Sequence, residues 1–136
     1  MAAKAELATY LDQRYVRIRV ARVQASGPGT VSYAAPEALS NNQVSPASDM
    51  FSFGCVLWEL LSLKEPWAEL SGNAFQVMHK IVYEKEHLRI EDVPRDVHEN
   101  VPGVIEVLEL CFSYDPSLRP AAERVYEVLD AAIESL

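Results

Sequence analysis

Residues 50–62 form a run that is apolar on nearly every helical face: Met50, Phe51, Phe53, Val56, Leu57, Trp58, Leu60 and Leu61. Ser48 or Asp49 just before it is a suitable N-cap, so a helix is expected to start there. A helix without a polar face must be surrounded by protein, which makes this segment the expected central post of a domain. Ser52, Gly54 and Glu59 interrupt the run, and it falls well short of the roughly 20 residues a membrane span requires. The surrounding layer must come from the rest of a 136-residue chain, which is long enough for one compact domain with one core.

Three amphipathic stripes are available to form that layer. Ala74, Phe75, Met78, Ile81 and Val82 make the first, after a turn at Ser71-Gly72-Asn73. Val101, Val104, Ile105, Leu108, Cys111 and Phe112 make the second, and Ala122, Val125, Tyr126, Leu129, Ala132, Ile133 and Leu136 the third. Their three- and four-residue spacing is that of a helix face turned toward a core. Pro94, Pro116 and Pro120 punctuate the connections, and Trp67 after Pro66 is expected to anchor a loop on the core. Upstream, Val16, Ile18 and Val20 alternate with Arg17 and Arg19, which reads as a half-buried strand over residues 15–23. Residues 30–46 keep no helical period and read as an ordered loop with at most a short helix at residues 36–39. The expected fold is mainly α: helices around one buried central helix, with a short N-terminal β element.

Charge narrows the partners. Twelve Lys and Arg against twenty Asp and Glu give a formal net charge of −8, which disfavours nucleic acid and anionic membrane surfaces. Cys55 and Cys111 show no metal-ligand spacing and sit in apolar helical stretches, as expected of buried thiols in a reducing compartment. The first eleven residues make a poor signal peptide, and a cytoplasmic location is expected. His79, His87 and His98 lie on polar stretches without a nucleophile or ligand partner and read as surface histidines. The acidic stretch 84–92 reads as a solvated helix end and loop.

Three motifs occur in order: GTVSYAAPE at residues 29–37, SDMFSFG at 48–54 and DPSLRP at 115–120. Together they resemble the C-lobe of a protein kinase, nearest to the tyrosine-kinase-like group of Ser/Thr kinases, over residues 29–136. The resemblance implies a kinase-like C-lobe fragment in which residues 1–28 are a degraded catalytic-loop and hairpin region and residues 29–136 the docking loop and helices. It implies that Gly29 and Thr30 open the loop that receives a peptide, with Tyr33 packed beneath it. It pairs Glu37 with Arg119, a carboxylate and a planar guanidinium suited to two parallel hydrogen bonds. Breaking such a pair when buried costs about 3–5 kcal/mol, whereas an exposed pair contributes about 0–1 kcal/mol. It also places Asp49 at the central-helix start, reaching toward the catalytic loop.

The chemistry of phosphoryl transfer is not matched in the same way. Transfer needs phosphates held, metal ions held and a base near the hydroxyl. The five glycines, at positions 27, 29, 54, 72 and 103, form no Gly-rich phosphate loop, and before Glu37 the only acids are Glu6 and Asp12. Aligning Asp12 with the hairpin puts the base slot on Ala2 or Ala3, the metal-binding Asn slot on Leu7 or Ala8, and the Asp-Phe-Gly slot near Val20-Ala21-Arg22. ATP and Mg²⁺ belong to the parent family, but no catalytic residue, cofactor or metal is expected in this chain. A protein or peptide partner on the docking-loop face is expected instead, with self-association through exposed C-lobe surface. Two alternatives stay open: a piece of an active ATP-dependent Ser/Thr kinase, and an unrelated helical interaction module in which the Glu37 and Arg119 pair is unimportant.

Overall fold

The computed structural model describes residues 28–70 and 73–135, and the strand expected at residues 15–23 lies outside them. Pro28–Tyr33 forms a 3₁₀ helix, followed by α1 (Pro36–Asn41), α2 (Pro46–Ser62), α3 (Ala74–Val82), α4 (Arg95–Asn100), α5 (Pro102–Cys111) and α6 (Ala122–Ser135). Short 3₁₀ turns at Ala68–Leu70, Ile90–Asp92 and Pro116–Leu118 join them. No strand occurs among the described residues, and the fold is mainly α.

The central helix α2 begins earlier than expected. Ser45, not Ser48 or Asp49, is the N-cap: its hydroxyl accepts from the Ser48 amide at 3.2 Å, and the Ser48 hydroxyl accepts from the Ser45 amide at 2.8 Å. This reciprocal box satisfies two of the amide donors that a helix start leaves open. Pro46 at the first helical position needs no amide partner and has its φ already set for a helix. Asp49 remains in the first turn, where a carboxylate suits the positive end of the helix dipole. At the other end Leu63 closes the helix in a left-handed conformation, φ 58°, with its amide bonded to the Glu59 carbonyl at 2.9 Å.

Every residue of α2 from Met50 to Glu59 is buried except Phe53, which is partly so, as an all-apolar helix requires. α5 packs directly on it. Gly54 makes that approach possible, since a Cβ there would lie 2.8 Å from Cys111 Cβ and 3.1 Å from Phe112 Cε1. Phe51 and Phe112 meet edge to face at 5.6 Å, and α6 closes over α5 through Val125, Val128 and Leu129. The stripe of α5 forms core as expected, with Leu108 and Cys111 at 0% exposure.

The other two stripes need correction. In α3 the buried residues are Val77 and Ile81, and Phe75 is 81% exposed because the helix turns Val77 toward α1 and the 3₁₀ helix instead. In α6 only Val125 is fully buried, while Tyr126 and Ala122 face outward along a groove. The acidic stretch is also less solvated than its composition suggests, because Leu88 and Ile90 within it, and Val93 just after it, are core residues. Three consecutive carbonyls there are each met by a side-chain nitrogen: Leu88 by His87 Nδ1 at 2.8 Å, Arg89 by Trp58 Nε1 at 2.7 Å, and Ile90 by His98 Nε2 at 3.2 Å. His87 also stacks on Phe112, so two of the three histidines tie this loop to the core; His79 and His87 are nonetheless exposed, as expected, and His98 is half-buried. Among the described residues no helix is long and apolar enough to cross a membrane.

Candidate functional site: the docking loop and its clamp

Gly29 and Thr30 lie in the 3₁₀ helix Pro28–Tyr33, which packs on α2 and α3. Its last residue, Tyr33, sends its hydroxyl to the Glu59 carboxylate near the far end of α2. Glu59 is 8% exposed, so its carboxylate is held inside the domain and the tyrosine supplies a hydrogen bond it needs there. The sequence reading treated Glu59 only as an interruption of an apolar run. A lone carboxylate in a helix with no solvent face has to find a donor, and that requirement was the available signal.

Four residues later the chain is fixed a second time. The guanidinium of Arg119 meets Glu37 in two parallel bonds, Nη1 to Oε2 at 2.7 Å and Nη2 to Oε1 at 2.8 Å. Arg119 also donates from Nη1 to the Ala47 carbonyl at 3.0 Å, from Nε to the Ser113 carbonyl at 2.9 Å, and from Nη2 to the Tyr114 carbonyl at 3.3 Å. A guanidinium has five N–H donors, and all five are used. The Arg119 side chain has no solvent exposure and that of Glu37 is 11% exposed. One arginine therefore joins α1 and the nearby start of α2 to the connection between α5 and α6, which is 72 to 82 residues away in sequence. The guanidinium also lies over the Phe51 ring at 5.1 Å, an arrangement the ring's negative face favours.

The electrostatics follow from that burial. Burial alone pushes the Glu37 carboxyl up, but the Arg119 hydrogen bonds, its own backbone amide and the guanidinium charge outweigh it and hold the group below its usual range. Cys111 lies close by and goes the other way: burial lifts its thiol to about 12, and the Arg119 charge only partly opposes this. Such a thiol stays protonated and is a poor nucleophile. Asp49 is exposed in the first turn of α2. Thus the structure brings Glu37 to Arg119, ties Tyr33 to α2, and puts Asp49 in the first turn of α2. Among the described residues no three His, Cys, Asp or Glu side chains converge where they could share a metal ion.

Residues 15–128 match the family model of the protein kinase domain. Similar proteins include serine/threonine-protein kinase CTR1 of Arabidopsis thaliana, 33% identical over 110 residues, 81% of this chain and 12% of that protein. A putative mitogen-activated protein kinase kinase kinase 7-like protein of Drosophila melanogaster is 32% identical over 108 residues, 79% of this chain and 27% of that protein. Mitogen-activated protein kinase kinase kinase 7 of Homo sapiens is 28% identical over 101 residues, 74% of this chain and 16% of that protein. The matched region is thus between 12% and 27% of the length of these relatives. The match removes the alternative of an unrelated helical module. With its helices gathered around a buried α2, this chain belongs to the protein kinase family.

Proposed function

We propose that residues 29–136 are the docking half of a Ser/Thr-type kinase lobe, and that this chain acts by holding a protein or peptide partner without itself transferring phosphate. The observation that carries the reading is the double fixation of one short segment. Tyr33 is bonded to buried Glu59, and Glu37 is gripped by unexposed Arg119, so residues 33–37 are held at both ends on the core. A loop held this way presents a preorganised backbone, and preorganisation lowers the entropy cost of capturing an extended peptide. Thr30 and Gly29 lie just before that segment, where the incoming chain would pass.

The chemistry for ATP and Mg²⁺ does not fit the residues in hand. Among the described residues no three His, Cys, Asp or Glu side chains gather where they could hold a metal ion, and the sequence before Glu37 offers only Glu6 and Asp12. Its two buried cysteine thiols suit a reducing compartment, which supports a cytoplasmic assignment.

The test uses the purified 136-residue chain with radiolabelled ATP, Mg²⁺ and a degenerate Ser/Thr peptide library. The expected result is no phosphate incorporation, with library peptides retained by the wild type and lost from a folded Tyr33→Phe variant. Turnover of ATP by the chain would sink the proposal, as would peptide retention indifferent to Tyr33. A second reading draws on the relatives, which are named as kinases and matched over only 12% to 27% of their length. In it the same docking half serves an active Ser/Thr kinase whose nucleotide site comes from other residues. A genomic read upstream separates the two: an open frame encoding a Gly-rich loop and a catalytic Asp selects the second.

A further inference from the structure

We draw no further inference here: the strongest candidate, the exposed aromatic surface patch of α3 with Phe75 81% and Tyr83 71% exposed, carries no proposal because nothing in the structure shows what covers it.

Discussion

Replacing Glu37 with alanine removes the carboxylate from a guanidinium that has no exposure of its own. Removing one partner of a buried pair costs about 3–5 kcal/mol, because the remaining charge keeps its desolvation penalty. Two features pull the cost toward the lower end here. Arg119 keeps its bonds to the carbonyls of Ala47, Ser113 and Tyr114, and the 11% exposure of Glu37 gives water a path to the vacated donors. The expected loss is therefore about 3 kcal/mol, a large share of the roughly 5–15 kcal/mol that holds a domain folded. In urea, at a slope of about 2 kcal/mol per molar, the midpoint should fall by about 1.5 M. Arg119→Met should cost more, since it leaves the carboxylate and three carbonyls unpaired together. The Glu37→Met, Arg119→Met double variant should lose less than the sum of the singles, as residues of one network do. A Glu37→Ala loss under about 1 kcal/mol, the worth of an exposed ion pair, would refute the reasoning. The acid limb gives an independent reading. Because the folded Glu37 carboxyl is held below its usual range, the stabilisation is fully present at neutral pH and is lost as pH falls through that lowered folded value. Glu37→Gln should flatten stability against pH in that acid window and leave its slope near neutral pH unchanged.

Gly54→Ala drives a methyl to within 2.8 Å of Cys111 Cβ and should destabilise by about 1–3 kcal/mol in thermal melts; Cys111→Ala keeps that Cβ and should not rescue it. Leu63→Gly relieves a left-handed leucine that is 78% exposed, so stability in urea unfolding should rise by about 0.5–1 kcal/mol. Cys55 and Cys111 are both buried thiols, with Cys111 lifted to about 12, and should react slowly with Ellman's reagent at pH 8 until denaturant exposes them. Trp58→Phe removes the bond to the Arg89 carbonyl and should cost about 1 kcal/mol, with faster amide exchange across residues 88–93.

Much of the fold was legible from local pattern. The apolar run predicted a buried central helix because burial is the only stable setting for such a segment, and α2 is that helix. The α5 stripe became core because that helix has neighbours on several sides, α2 and α6 above all, so its apolar residues are covered. The α3 and α6 stripes were overread: hydrophobic spacing says which side of a helix is apolar, but not whether the domain supplies enough neighbours to cover it. Phe75 and Tyr126 keep helical register and still face solvent. The start of α2 was misplaced because Ser45, Ser48 and Asp49 are all competent caps, and only the Pro46 backbone and the reciprocal serine bonds select the first. The short helix α4 carries too few periodic residues to be read in a sequence.

The sequence alone determined the kinase C-lobe order of motifs, the central helix, the pair of residues suited to a clamp, and the shortage of acids for metal binding before Glu37. What it could not contain was the third partner in each contact. The tertiary structure decided that Arg119 spends its remaining donors on three backbone carbonyls, that Tyr33 reaches Glu59, and that Trp58 and two histidines secure the 88–90 carbonyls. Side-chain identity is written residue by residue and shows what each group needs. Which group meets that need depends on distances set only when segments up to 82 residues apart pack together.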